Sequence, residues 1–177
     1  MGSFLIVEGD NFEKVDILFG EEEYASKDAI YFCNKFFHEG KCKDIIFVKI
    51  KEQGKIYTEE QGEIFLKNII DSLYKDLPIT YLNLDVEHPV TLNKSNKVLD
   101  IINQKGAKSI AVLTNAFHSR RTRNVYRKIL GSSDIKLYML TYNIYFDNED
   151  WWKSSLGFRV VVSEYLKYAY YLVRGYM

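Results

Sequence analysis

Cysteine is scarce in this chain, whose 177 residues include only Cys33 and Cys42. The two are not spaced as C-x-x-C, and two unclustered cysteines do not supply the ligands of a zinc site. We therefore expect plain thiols in a reducing cytoplasmic compartment, and no metal site.

Long apolar runs are also missing. No uninterrupted apolar segment reaches the roughly 18–20 residues that span a bilayer. The first residues, Met1–Asp10, lack the basic start and the long apolar core of a secretory signal peptide. These absences predict a cytoplasmic protein without a membrane span.

Neither sign of charge is in excess, because 24 basic and 24 acidic residues give a formal net charge of zero. Dedicated nucleic-acid-binding domains usually carry a basic excess, so we expect no nucleic-acid partner. The glycine-rich G-x-G-x-x-G and Walker motifs are absent, which disfavours a standard dinucleotide or nucleoside-triphosphate site. The G-x-S-x-G and H-E-x-x-H motifs of hydrolases and metalloproteases are absent too.

What the chain does have is a regular alternation of short apolar runs with helical patterns. The apolar runs are nearly continuous, as in strands that are covered on both faces of a parallel sheet. We predict one domain over residues 1–177, a three-layer α/β/α sandwich with a mostly parallel, Rossmann-like sheet of about five strands. Phe4–Val7 is either an edge strand or a packed arm. Strands are predicted at Val15–Phe19, Asp44–Ile50, Ile79–Leu84, Ser109–Leu113 and Lys136–Thr141. Helices are predicted at Tyr24–His38, Thr58–Leu77, from Thr91 or Asn93 to Gly106, from the elbow after Leu113 to Leu130, and from about Trp151 to Val173.

The segment Ser109–Leu130 is the most informative part of the sequence. A buried strand, a polar elbow at Thr114 and Asn115, and a helix follow one another without a gap. The first two turns of this helix carry His118, Arg120, Arg121 and Arg123, where the helix dipole disfavours cations. His118 and Arg121 are three residues apart and share one helix face. We interpret this cluster as a cradle for an anion. The alternative is that Arg121 pairs with Glu21–Glu23 and that His118 caps a neighbouring loop.

The other candidate residues follow strands, because open α/β sheets bind ligands at the carboxyl ends of their strands. Each of them also has a structural interpretation. Gly20 serves either a sharp turn or the close approach of a ligand. Glu21 belongs to an acidic run that either binds a cation or is solvated. Thr91 is either a ligand contact or an N-cap. The complete set of predicted ligand-binding residues is Gly20, Glu21, Thr91, Asn93, Thr114, Asn115, His118, Arg121, Trp151 and Trp152; of the two tryptophans, one is expected in the core and the other could stack on a ligand ring.

These residues resemble a bacterial family of unknown function typified by the YdcF, SanA and ElyC proteins. The resemblance covers nearly the whole chain and is most specific at Thr114–Arg121. The chain departs from the family pattern after the first strand, where glutamates follow Gly20, and at Asn93-Lys94, where the family often has Glu-Asn. The other matching segments are Phe4–Asp10, Asp16–Gly20, Phe37–Gly40, Thr91, Trp152, Glu164 and Gly175.

The resemblance implies S-adenosylmethionine as a candidate ligand, because one relative looks like a binder of that cofactor. It also implies a link to the cell envelope. We expect a binding protein for a small anionic or nucleoside-like molecule, in which Arg121 holds a phosphate or carboxylate. His118 would donate a hydrogen bond or act as a general acid or base. Two alternatives stay open: an enzyme that acts on a phosphorylated or nucleotide-linked envelope precursor, and a non-catalytic scaffold. The oligomeric state is open.

Overall fold

The computed structural model describes residues 2–21, 27–51, 77–85, 88–142 and 148–177. Their strands form a five-stranded sheet in the order β3-β2-β1-β4-β5, and every neighbouring pair is parallel. Helices cover the sheet, so the predicted three-layer α/β fold of Rossmann-like type is confirmed. The strands are β1 Val15–Gly20, β2 Cys42–Lys51, β3 Ile79–Asp85, β4 Ser109–Asn115 and β5 Lys136–Tyr142; the helices are α1 Lys27–His38, α2 Val90–Lys105, α3 Ser119–Leu130 and α4 Ser155–Val173.

The predicted elements match these bounds closely where they can be compared. The strand β4 runs two residues further than predicted, so that Thr114 and Asn115 lie in the strand and not in an elbow. The helix predicted at Thr58–Leu77 lies outside the described residues except for Leu77, which is not helical. No described helix is both long enough and apolar enough to cross a bilayer.

Two apolar clusters occupy the two faces of the sheet, because successive side chains of a strand point to opposite faces. Ile17 and Phe19 of β1 belong to the cluster beneath α2 and α3. Leu18 between them packs with Ile30 of α1 in the other cluster. Burial on both faces explains why the strands read as continuous apolar runs.

The order of the strands places a topological switch point between β1 and β4. The chain builds β2 and β3 on one side of β1, and then returns to place β4 and β5 on the other side. At such a point the connections leave the sheet in opposite directions and open a crevice at the carboxyl ends of the strands. Here the carboxyl ends of β1 and β4 meet at Gly20 and Leu113, and the Leu113 carbonyl accepts a hydrogen bond from the Glu21 backbone N–H at 3.0 Å.

The residues before β1 form a packed arm and not an edge strand. Gly2–Leu5 is a turn of 3₁₀ helix. The backbone N–H of Val7 then donates to Ser119 Oγ at 2.8 Å, and that of Asp10 donates to the Met139 carbonyl at 2.8 Å. Met139 N–H donates in return to Asp10 Oδ2 at 2.8 Å. The arm therefore satisfies polar groups of β5, the strand at the edge of the sheet.

At the amino ends of the central strands, Asp16 joins β1 and β4. Its Oδ2 accepts hydrogen bonds from the backbone N–H groups of Lys108 and Ser109 at 2.9 and 3.1 Å, and from the Ser109 hydroxyl at 3.0 Å. Its Oδ1 pairs with Lys43. The hydrogen bond from Lys43 and those from Lys108 and Ser109 outweigh burial and lower the pKa of Asp16 from 3.8 to about 2.

We predict that Asp16→Asn lowers the free energy of unfolding at neutral pH by about 1–3 kcal/mol, because buried donors lose a charged acceptor. The depressed pKa means that this stabilisation is present above pH 3.8 and is lost as the pH falls through about 2. Urea unfolding of both proteins across this range should show their difference shrinking with acidification. The control is Asp44→Asn, which removes an exposed pair with Lys105 and should cost less than about 1 kcal/mol. Equal losses for the two variants would contradict the prediction.

Candidate active site at the switch point

The site begins where β4 passes into α3. Thr114 and Asn115 end the strand, and both are fully buried. Asn115 Oδ1 accepts a hydrogen bond from the Phe117 N–H at 2.9 Å, which caps the 3₁₀ turn Ala116–His118. This turn leads directly into α3, so the helix N-terminus lies at the carboxyl edge of the sheet as predicted.

The centre of the site is the carboxylate of Glu164, which comes from α4 and is fully buried. Its Oε2 lies 3.0 Å from both Nε and Nη2 of Arg121, and 2.9 Å from Nδ1 of His118. Its Oε1 accepts a hydrogen bond from Lys167 at 2.8 Å. One buried carboxylate thus gathers the two residues that the sequence placed on one face of α3.

These contacts keep the carboxylate ionised. Burial by itself raises the pKa of Glu164, but the close contact and charge of His118 and the charges of Arg121 and Lys167 outweigh it. The net result is a pKa well below the usual range for a glutamate. For Arg121, burial favours the neutral form, yet Glu164 and Glu21 raise its pKa above the ordinary value.

Arg121 also joins α3 to α2. Its Nη1 donates a hydrogen bond to Thr91 Oγ1 at 2.6 Å, and its guanidinium lies over the Tyr171 ring at 5.1 Å. Thr91 is the second residue of α2, whose N-cap is Pro89, so the interpretation of Thr91 as an N-cap is wrong. The guanidinium is only 7% exposed and is held by Glu164, which was not among its expected partners.

A second buried network lies beside the first. Glu21 is 4% exposed, so it is not a solvated loop residue. Its Oε2 accepts a hydrogen bond from the Thr122 hydroxyl at 2.6 Å, while Lys94 Nζ donates to its backbone carbonyl at 2.6 Å. Its carboxylate is therefore committed to Thr122 and Lys94, and not to the pairing with Arg121 that the sequence allowed. Glu22 and Glu23 lie outside the described residues.

His118 is the member of the cluster that faces outward. Its side chain is 28% exposed, but its Nδ1 is buried against Glu164. The exposed part of the ring is therefore away from Nδ1. A histidine held at one ring nitrogen by a carboxylate can use the other nitrogen to donate or accept a proton.

Gly20 has a packing role that the sequence did not indicate. Its φ is not positive, so no glycine-specific turn is present there. A Cβ on Gly20 would lie 2.1 Å from Cε1 of Phe47. The glycine thus makes room for the Phe47 ring of the neighbouring strand.

The remaining predicted residues surround this centre less closely. Asn93 is half-buried on α2, two residues from Thr91. Trp151 is half-buried in the apolar cluster around Phe117, and Trp152 is 56% exposed and meets Trp151 edge to face. The stacking of one tryptophan on a ligand ring stays a prediction. Within the described part of the chain, no three histidine, cysteine, aspartate or glutamate side chains are grouped to hold a metal ion.

Comparison with known proteins gives no family for this chain. No protein-family model matches the sequence, and no curated protein matches it at a significant level. The resemblance to the YdcF-type family stays an expectation, so the function has to be argued from the geometry of the site.

We predict that Glu164→Gln costs about 3–5 kcal/mol of unfolding free energy, because it leaves Arg121 buried without a counter-charge. The double variant Glu164→Gln/Arg121→Gln should cost less than the sum of the single changes. Since folding lowers the pKa of Glu164, its ionised carboxylate stabilises the fold at neutral pH, and this stabilisation is lost as the pH falls. The difference in unfolding free energy between the wild type and Glu164→Gln should therefore become smaller on acidification. Chemical denaturation measures all three variants.

The matched control for this cycle is Lys167→Gln, which removes an exposed partner of the same carboxylate. It should cost less than about 1 kcal/mol. Strict additivity of the Glu164 and Arg121 changes would show that the two side chains are not energetically coupled.

We predict that Gly20→Ala destabilises the fold by about 1–3 kcal/mol, because the new methyl group collides with Phe47. Phe47→Leu replaces the ring by a smaller side chain, so the double variant Gly20→Ala/Phe47→Leu should recover part of the lost stability. Thermal unfolding of the two single variants and the double variant checks the coupling. A Gly20→Ala protein as stable as the wild type would disprove the packing role.

Proposed function

We propose that this protein binds a small anionic or nucleoside-like molecule at the switch point between β1 and β4, beside His118. The observation that supports it best is the pairing of His118 with a fully buried carboxylate while the rest of its ring stays exposed. A buried ion pair contributes little net stability compared with apolar packing. Its presence at the ligand-binding edge of an open α/β sheet is better accounted for by a ligand.

The roles of the side chains follow from their exposure. His118 donates a hydrogen bond to an anionic group of the ligand from the part of its ring that is turned away from Glu164. Arg121 is too buried to contact the ligand directly. It contributes positive charge beneath His118 and holds Glu164 in place. The N-terminus of α3 adds its dipole to the same crevice. Trp152 is exposed and free to cover a ligand ring.

Candidate ligands are S-adenosylmethionine, nucleotides, nucleotide sugars and simple phosphates, and we place the protein in the cytoplasm. A role in cell-envelope biogenesis belongs to the same proposal and is supported only by the resemblance of Thr114–Arg121 to the YdcF-type family.

A thermal-shift panel tests the proposal with inorganic phosphate, adenosine monophosphate, S-adenosylmethionine and uridine diphosphate-N-acetylglucosamine. A ligand at 100 times its dissociation constant stabilises a protein by about 2.7 kcal/mol, which is readily detected. In His118→Gln the affinity should fall about 10- to 100-fold, because a charge-assisted hydrogen bond is lost. The control is His38→Gln, since His38 is exposed at the far end of α1. Failure of the whole panel, or equal affinity in His118→Gln, would refute the proposal.

The second candidate function is an enzyme acting on a phosphorylated or nucleotide-linked precursor. The contact of His118 Nδ1 with Glu164 favours it, because a carboxylate that orients an imidazole is the usual arrangement of a general base. Turnover of a nucleotide sugar, followed by chromatography of the products, distinguishes the two functions. An enzyme should release product in the wild type but not in His118→Gln, whereas a binding protein should return the ligand unchanged.

A further inference from the structure

The outer face of α4 is apolar along its whole length. Phe158, Val162, Leu166, Tyr170 and Val173 follow one another at spacings of four and three residues, so they form one stripe. All five are exposed, Leu166 by 68% and Val173 by 85%. Five exposed apolar side chains on one side of a helix differ from the single scattered apolar residues of an ordinary surface and are typical of an interaction site.

The surroundings of the stripe are strongly basic, although the chain as a whole is neutral. The helix α3 and the segment 153–177 together contain nine of the 24 basic residues. Their only acidic residue is Glu164, which is fully buried. Arg121 and Lys167 pair with Glu164, and Lys153 pairs with Asp150, so the other six basic residues leave these two segments with an excess of positive charge.

On α3 the basic residues form a ridge. Arg120, Arg123 and Arg127 recur at spacings of three and four residues and so lie on one side of the helix. Burial, together with the charges of Arg127 and Arg120, lowers the pKa of Arg123 from its ordinary value, and the charge of Asp10 offsets this effect only in part. Like charges that crowd in this way are stabilised by an external anion.

The ridge and the stripe belong to one surface. The Arg120 guanidinium lies 4.7 Å from the centre of the Phe4 ring. The Phe4 ring in turn packs on Tyr165 and Tyr168 of α4, at 6.1 and 5.3 Å between ring centres. A partner that covers the stripe would therefore also meet the arginines of α3.

We propose that this surface docks the protein on an anionic phospholipid bilayer. The apolar side chains of α4 enter the boundary between headgroups and acyl chains, and the basic residues contact the lipid phosphates. Lysine and arginine beside tryptophan, phenylalanine and leucine on one helix are typical of helices that lie in a membrane interface. At 1.5 Å per residue, α4 presents about 28 Å of helix parallel to the membrane plane.

The charges and the aliphatic side chains argue against other occupants. A second copy of the chain would bring the same basic residues against one another with no exposed carboxylate of α4 between them. A nucleic acid would pair with the arginines and stack on the aromatic rings, but it would leave Val162, Leu166 and Val173 uncovered. An anionic bilayer would cover the apolar stripe of α4 with acyl chains and would pair the arginines of α3 with phosphates.

Vesicle flotation with the complete chain tests the proposal. The protein should float with vesicles of equal phosphatidylcholine and phosphatidylglycerol, and it should stay unbound with pure phosphatidylcholine. The double variant Leu166→Ser/Val173→Ser should bind about tenfold more weakly or worse, because two apolar side chains no longer enter the membrane. Arg123→Gln/Arg127→Gln should weaken binding comparably and reduce its dependence on salt.

Matched controls lie on α1, which covers the other face of the sheet. Tyr31→Ser removes a side chain that is 58% exposed, and Lys35→Gln removes an exposed charge. Both variants should bind vesicles like the wild type. The proposal is overturned if the wild type does not float with anionic vesicles, or if the α3 and α4 variants behave like these controls. Sedimentation as a dimer that Leu166→Ser/Val173→Ser dissociates, without vesicle binding, would instead assign the stripe to a second copy.

Discussion

The buried carboxylate of Glu164 is the constraint on which the arrangement of the site depends. An ionised carboxylate away from water is costly unless charges and hydrogen bonds compensate it. Arg121, His118 and Lys167 provide that compensation, and Arg121 passes the restraint on to Thr91 of α2. Three helices are thereby fixed relative to one another at the carboxyl edge of the sheet. Apolar packing alone would tolerate small shifts among them, whereas the directional bonds to one carboxylate do not.

The sequence predicted the fold and the location of the site because both depend on local patterns. Continuous apolar runs predict buried parallel strands, and a helical pattern that follows a strand without a gap predicts a binding edge. Such local patterns could not identify Glu164 as the partner of Arg121. Glu164 is 43 residues away in sequence, and only the packing of α4 brings it near. One signal was available, because Glu164 is the single acidic residue after Asp150 and lies in a mostly apolar helix.

The same reasoning explains why the packing of Gly20 and the burial of Glu21 were not predicted. A glycine before a run of glutamates suggests a solvated turn when read as a sequence. In the structure the glycine makes room for an aromatic ring from the adjacent strand, and Glu21 is covered by Thr122 and Lys94. These contacts join residues that are far apart in the sequence, so no local sequence pattern indicates them. Lys94 and Thr122 were therefore absent from the predicted site.

A net charge of zero also hides how unevenly the charges are distributed. The helices α3 and α4 contain seven basic residues and one acidic residue, so they are net positive although the chain as a whole is neutral. The helix α4 contributes to the candidate site and to the apolar stripe from opposite faces. Its inner face supplies Glu164 to His118 and Arg121, and its outer face carries the exposed stripe that includes Leu166. Because one helix holds both, a displacement of α4 by a partner on its outer face would move the carboxylate that orients His118.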